Sequence, residues 1–194
     1  MCILLLGCSV LFFSTQPWWG GEDQAGKTVL LWGEQGLGDE VMFVSIVPDL
    51  AANEVQILLE TDKRMVGLLQ RSFPNILCLA RKDPPDPRTE SADFQLPITN
   101  LGNHFRPDEA SFKDGKPFLV PDRERVKHLR RTYRKKFAKS ASDLLIGITW
   151  RSLNARVGVS KSMLLDDMRP ILETPGATFV NLQYSDTAVA VSYT

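Results

Sequence analysis

The most regular pattern in the 194-residue chain begins at Thr28, where short apolar runs alternate with amphipathic stretches. Runs of about four to eight apolar residues are typical of buried strands, and apolar residues that recur every three or four positions indicate helices. The pattern predicts strands at 28–32, 55–59, 75–80 and 93–98, with helices at 39–53 and 62–73. Alternation at this spacing is typical of parallel α/β sheets with right-handed crossovers. Pro48 should kink or shorten the first helix.

The second half of the chain predicts one more α/β unit after a long basic helix. We expect a helical turn at 100–105, a strand at 118–120, the basic helix at 123–139, a strand at 144–150, a helix at 162–172 and a strand at 177–184. The basic helix carries an apolar stripe for packing, formed by Val126, Leu129, Tyr133 and Phe137. We interpret its many Arg and Lys residues as a solvated face. The alternative is contact with an anionic polymer or membrane.

These elements predict an α/β protein made of a Rossmann-like parallel-sheet domain and part of a second one. Residues 1–25 would be an apolar leader and linker, 26–139 the first domain, and 140–194 the truncated start of the second. One βαβ unit cannot bury a sheet on both faces. We therefore expect the second domain to be incomplete and prone to self-association.

The apolar leader MCILLLGCSVLFF, residues 1–13, is too short to span a bilayer as a helix. No Lys or Arg precedes it and no A-x-A site follows it, which disfavours a cleaved signal peptide. The other interpretations are a buried helix or strand, or an arbitrary start within a longer reading frame. We expect a cytoplasmic protein with no stable membrane span.

Composition narrows the function classes. The 23 Lys and Arg residues balance 23 Asp and Glu residues, so bulk charge gives no reason to expect nucleic acid as a partner. Cys2, Cys8 and Cys78 lie far apart and the two histidines stand in unrelated segments. This spacing disfavours a disulfide framework or a zinc site and favours a reducing compartment. We expect neither a metal nor a cofactor.

The segment WGEQGLGDE, residues 32–40, carries the most chemical information. It joins the first predicted strand to the first helix, which is where open α/β sheets bind ligands. One interpretation has Gly33, Gly36 and Gly38 hold a phosphate, with Glu60 on a ribose hydroxyl as in dinucleotide-binding oxidoreductases. The spacing G-x-x-G-x-G and the negative charge of Asp39 argue against it, and the absence of a following Gly-Lys-Ser/Thr excludes a P-loop.

A second interpretation makes Asp39 the reagent. At the predicted N-cap of the helix, the helix dipole and free N–H groups would keep its carboxylate ionised. Such a carboxylate can take the proton from a sugar hydroxyl as that oxygen attacks. A third interpretation, which the spacing alone favours, is an ordinary capping aspartate with no chemistry.

Eight short segments of the chain are informative together: WGG at 19–21, GKT at 26–28, GEQGLGDE at 33–40, VPDL at 47–50, RSFP at 71–74, DFQLP at 93–97, GITWR at 147–151 and NLQY at 181–184. In their order and spacing, over about 165 residues, they resemble a family of bacterial proteins in which tetratricopeptide repeats precede a heptosyltransferase-like domain. GEQGLGDE is the most specific of these segments.

The resemblance implies a GT-B fold of two Rossmann-like domains, with the acceptor on the first and a nucleotide sugar on the second. It implies metal-independent, inverting transfer of a sugar to a hydroxyl acceptor, which would be a sugar, a lipid-linked glycan or a protein. Asp39 takes the place of the catalytic base. The other implied site residues are Gln35, Gly36, Gly38 and Glu40 for the acceptor, and Arg151 and Lys161 for the donor diphosphate.

The resemblance also implies that this chain, lacking most of a donor domain, is inactive by itself. Two alternatives stay open. One is a non-catalytic interaction module that remains from a truncated glycosyltransferase. The other is the dinucleotide-binding oxidoreductase, for which the sequence shows no second component.

Overall fold

A four-stranded parallel sheet organises the first half of the chain, as the sequence predicts. The structure is a computed structural model that describes residues 15–22, 25–112, 117–138, 140, 142–152 and 158–183. Packing divides the chain into two units, Met1–Asp122 and Arg123–Thr194. The strands of the first unit are β1 Thr28–Trp32, β2 Gln56–Thr61, β3 Leu77–Ala80 and β4 Phe94–Pro97.

The strand order is β3-β2-β1-β4, and every neighbouring pair is parallel. In the register, Thr28 of β1 lies opposite Gln56 of β2, and Val29 lies opposite Phe94 of β4. The chain therefore adds β2 and β3 on one side of β1 and then returns to place β4 on the other side. This Rossmann-like arrangement leaves the carboxyl ends of all four strands at one edge.

The two faces of the sheet are buried to different extents. Alternate strand residues such as Leu31 and Leu59, both 0% exposed, pack with the helices in the main core. On the opposite face, Leu30 and Leu58 form a smaller cluster with Ala92. Full burial of one leucine side chain contributes roughly 1.5–3 kcal/mol, so each fully buried leucine in the main core adds measurably to the stability of this unit.

The helix predicted at 39–53 is broken into three short pieces. Helix α1 covers Leu37–Phe43, a 3-10 turn covers Val44–Ile46, and α2 covers Val47–Ala51. Pro48 lies in the first turn of α2, the one place in a helix where its missing N–H costs nothing. The prediction that this proline shortens the helix is confirmed. Two further helices of this unit are α3 Val66–Ser72 and α4 Leu101–Phe105.

The prediction of a strand at 118–120 is wrong, because these residues form no strand. This segment is held by side chains of α3 and not by neighbouring strands. The backbone N–H of Val120 donates to Ser72 Oγ at 2.9 Å, and its carbonyl accepts a bond from Arg71 Nε at 3.3 Å. The ring of Phe118 stacks on Phe73 with centroids 6.5 Å apart.

The second unit begins with helix α5, Arg123–Phe137, and contains β5 Leu144–Ile148, α6 Arg169–Leu172 and β6 Ala177–Asn181. Strands β5 and β6 pair in parallel, as predicted. The helix predicted at 162–172 forms only as α6 after a 3-10 turn, with Pro170 in its first turn. The domain limits 26–139 and 140–194 stay a prediction.

Helix α5 differs from its prediction in the exposure of its apolar stripe. Val126, Leu129 and Tyr133 are 43%, 40% and 36% exposed, so the stripe is not buried in a core of the described residues. Within the part of the chain that the structure describes, no helix is both long and apolar enough to cross a membrane. The apolar leader, residues 1–13, lies outside the described residues.

Candidate functional site

The carboxyl end of β1 is the point at which the strand order changes direction. Ligands of open parallel sheets bind outside the carboxyl ends of the strands at such a point. Two segments leave the sheet here: the loop 33–36 after β1 and the 3-10 turn Ile98–Asn100 after β4. We call the loop 33–36, together with the first turn of α1, the glycine loop. Most of the residues predicted for the acceptor site lie on it.

Asp39 lies in the first turn of α1 but does not cap the helix, so the prediction of an N-cap aspartate is wrong. Gly36 is the N-cap, with extended φ/ψ angles of −76° and 166° and no side-chain cap bond. Its carbonyl accepts the N–H groups of Asp39 and Glu40, each at 3.0 Å. This main-chain carbonyl closes the first turn. Because every residue has such a carbonyl, the N-cap position here does not need a capping side chain and can be a glycine.

The Asp39 side chain is exposed. Within the described part of the chain, its carboxylate makes no hydrogen bond or ion pair. The side chain lies beside the N-terminus of α1, in its first turn. Gln35, Gly36 and Gly38 are exposed on the same loop, so the structure brings these predicted residues together with Asp39.

Glu40 faces the opposite way from Asp39. It is 2% exposed, and its carboxylate accepts bonds from the Thr61 hydroxyl, from the Asp62 N–H at 3.1 Å and from Arg81 Nη2 at 2.5 Å. Thr61 is the last residue of β2, Asp62 follows it, and Arg81 follows β3. A carboxylate enclosed in this way does not line the loop surface, and its placement does not support the predicted acceptor contact.

Gly33 leaves room for this buried ion pair. Its N–H donates to the Glu60 carbonyl at 3.1 Å, which continues the pairing of β1 with β2. A Cβ at this position would meet Glu40 Oε1 and would lie 2.6 Å from Arg81 Nη2. The glycine is therefore required by close packing. Glu60 lies 4.0 Å from Arg81 Nε, so it faces a cation of its own chain and not an open ribose site.

The sequence alone did not indicate a second acid at this edge, Glu34. Its Oε1 accepts the hydroxyl of Thr99, which joins the loop after β1 to the turn after β4. Its Oε2 is buried and has no hydrogen-bond partner among the described residues. Thr99 lies 65 residues from Glu34, and only the adjacency of β1 and β4 connects them.

Burial raises the pKa of Glu60 above its ordinary value of 4.5, while the nearby Arg81 opposes this and Asp86 and Glu40 add to it. A raised folded-state pKa contributes stability below the unfolded pKa and loses it as pH rises through the folded pKa. We therefore expect Glu60→Gln to gain stability relative to the native chain as pH rises from about 4 to about 7.

Urea unfolding across this pH range, with exposed Glu90→Gln as the control, measures the difference. A Glu60→Gln curve parallel to that of the native chain would contradict the expectation.

The predicted diphosphate residues lie in the second unit, and both are exposed. Arg151 follows β5, and its N–H donates to Gln183 Oε1 at 3.1 Å. Lys161 ends a 3-10 turn, Val159–Lys161. A bond of 3.0 Å from the Ser152 N–H to Ser162 Oγ brings the two segments together. Residues 153–157 lie outside the described residues.

Among the residues that the structure describes, no group of three His, Cys, Asp or Glu side chains is arranged to hold a metal ion. The predictions of metal-independent chemistry and of no cofactor stay predictions.

Comparison with known proteins gives one curated relative. No protein-family model matches the chain, and no solved structure matches it. The chain is similar to Protein FlbA of Caulobacter vibrioides, with 29% identity in an alignment of length 190 that covers 90% of this chain and 31% of FlbA. The chain thus spans about a third of the length of the curated relative it matches. The resemblance to heptosyltransferase-like domains remains a prediction based on the residues quoted above.

Proposed function

We propose that the chain carries the acceptor-side part of a glycosyltransferase. The observation that supports this most is the exposed carboxylate of Asp39 in the first turn of α1, which makes no hydrogen bond or ion pair with the described residues. It lies where the strand order changes direction, on a loop that also exposes Gln35, Gly36 and Gly38. The acceptor would be a hydroxyl of a sugar, a lipid-linked glycan or a protein, and the donor a nucleotide-diphosphate sugar in the cytoplasm.

In the proposed reaction Asp39 is the general base. It takes the proton from the acceptor hydroxyl as the oxygen attacks the anomeric carbon of the donor sugar. The bond from that carbon to the diphosphate breaks in the same displacement, so the configuration inverts. Exposed groups of Gln35, Gly36 and Gly38 bind the acceptor. No metal enters this scheme.

The departing diphosphate needs positive charge. In the GT-B arrangement that the sequence resembles, this comes from the second Rossmann-like domain. Arg151 and Lys161 are exposed cations on segments that the Ser152–Ser162 bond brings together. We propose that they neutralise the charge of the leaving nucleotide diphosphate.

The proposal is tested on the longest protein that the gene encodes. That protein is incubated with ADP-, GDP- or UDP-linked sugars and hydroxyl acceptors, and release of nucleotide diphosphate is measured. We expect release from one donor class that needs an acceptor and persists in excess EDTA. A folded protein that releases nothing from any donor, or only with a metal, would contradict the proposal.

For the 194 residues by themselves we expect no measurable transfer and only weak binding of nucleotide sugars. The described part of the second unit has a sheet of two strands, which is too small to bury a nucleoside. Calorimetric titration with the same donors measures the binding. Micromolar affinity together with sugar transfer would show that the donor site lies elsewhere on the chain.

A second candidate function is a non-catalytic interaction module. The observation in its favour is the number of exposed apolar side chains in the second unit: Leu144, Val159, Met163, Leu164, Ile171 and Leu182 are all at least 50% exposed. Where such side chains form one contiguous patch, the patch marks an interaction site. The module predicts concentration-dependent association by sedimentation and no turnover, even in the longest protein.

A further inference from the structure

Glu40 is the most enclosed charged side chain at the candidate site. It is 2% exposed, and its three partners come from the ends of two neighbouring strands. Its ion-pair partner Arg81 has a side chain that is 40% exposed, so the arginine reaches solvent while the Glu40 carboxylate is buried. Such a pair ties the first turn of α1 to the sheet.

Helix α1 needs a tertiary contact of this kind to be stable. It has seven residues and no side-chain cap, and helices this short are marginal without tertiary contacts. Consecutive residues of an α-helix point about 100° apart around the axis, since one turn takes 3.6 residues. When Glu40 is fixed inward, the rotation of the helix about its axis is fixed, and Asp39 must point outward.

We propose that Glu40 is a positioning residue that sets the direction of Asp39 and the backbone of the glycine loop, and that it does not contact the acceptor. The catalytic part of this inference rests on the proposed function. The structural part does not. The charged groups near Glu40 are Arg81, which contacts it, and Glu60 and Arg64 further away, so the pair with Arg81 is its main electrostatic interaction.

Two substitutions distinguish the loss of the ion pair from the loss of all three contacts of Glu40. Glu40→Gln keeps the length of the side chain and can still meet Thr61 and Asp62, while Glu40→Ala removes all three bonds. Asp49→Asn is the matched control, because Asp49 pairs with Arg106 at 2.6 Å in the same unit with a side chain only 20% exposed. All are made in the longest protein that the gene encodes.

We expect kcat per folded molecule to fall in the order native, Glu40→Gln, Glu40→Ala. The loss in Glu40→Gln should be roughly 10- to 100-fold, as for a misplaced catalytic group, with the acceptor KM nearly unchanged. The control should lose thermal stability but keep kcat. A rise in acceptor KM at constant kcat would assign Glu40 to acceptor binding and overturn the inference. Unchanged kcat and KM would overturn it as well.

Hydrogen exchange of the backbone amides of 37–41 gives a readout that needs no activity. We expect faster exchange in Glu40→Gln than in the native chain, and native exchange in Asp49→Asn. If Glu40→Ala does not fold, the result for Glu40→Gln alone tests whether Glu40 positions Asp39. A native protein without transfer would refute the proposed function alone, and the exchange data would then test positioning separately. Unchanged exchange in Glu40→Gln would overturn positioning whatever the activity.

Discussion

Asparagine in place of Asp39 is expected to lower the rate of sugar transfer roughly 10²–10⁴-fold, the usual range for the loss of a general base. Asparagine matches aspartate in size but cannot take a proton from the acceptor hydroxyl. The fold should survive, because the side chain is exposed and does not cap α1. Only the attraction of the carboxylate to the helix dipole is lost, about 0.3–1 kcal/mol.

Single-turnover rates and thermal unfolding of the longest protein measure the two effects. The matched control is Glu124→Gln, since Glu124 is an exposed acid in the first turn of another helix, α5. The control should transfer sugar at the native rate. A near-native rate for Asp39→Asn would refute the assignment of the base. Loss of its fold would show that the carboxylate is structural.

Alanine in place of Gly33 is expected to destabilise the first unit by roughly 1–3 kcal/mol through overpacking. Its Cβ would meet Glu40 Oε1 and lie 2.6 Å from Arg81 Nη2. If the clash separates Glu40 from Arg81, the cost is larger, because the buried Glu40 carboxylate then lies without its counter-ion. Urea unfolding followed by circular dichroism measures the change.

Gly38→Ala is the matched control from the same loop. A Cβ at Gly38 would have nothing within 4 Å, and this glycine lies inside α1. Alanine there should be stabilising by about 0.5–1 kcal/mol, the usual gain over glycine in a helix. If Gly33→Ala were as stable as the native chain, the contact between the glycine loop and the Glu40–Arg81 pair would be refuted.

The fold could be predicted from the sequence where an element depends on neighbouring residues in the chain. Strand β1 agrees with its prediction at both ends, because TVLLW is followed at once by glycine. The segment 118–120 shows the limit of this approach. Its apolar residues suggested a strand, but their partners are side chains of α3 almost fifty residues away in the chain. Periodicity gives no information on contacts of that kind.

The sequence predicts a site at the glycine loop because this loop is a local signal, and the role of Asp39 stays a prediction. The contacts within this region could not be predicted from the sequence. Glu40 pairs with Arg81 across 41 residues and Glu34 bonds to Thr99 across 65, and both contacts exist because parallel strands gather their carboxyl ends. The N-cap was misplaced because a main-chain carbonyl, and not the aspartate side chain, closes the first turn of α1.

The edge position of β3 gives the molecule an internal chemical reporter. Cys78 lies on this strand, is 6% exposed, and burial raises the pKa of its thiol to about 11. A thiol so protonated and enclosed reacts with an alkylating reagent only after the strand has opened. The labelling rate of the peptide that contains Cys78 therefore reports how often β3 separates locally from β2. Because mass spectrometry resolves that peptide in a mixture, the opening rate can be followed in a crude cell extract, before any purification.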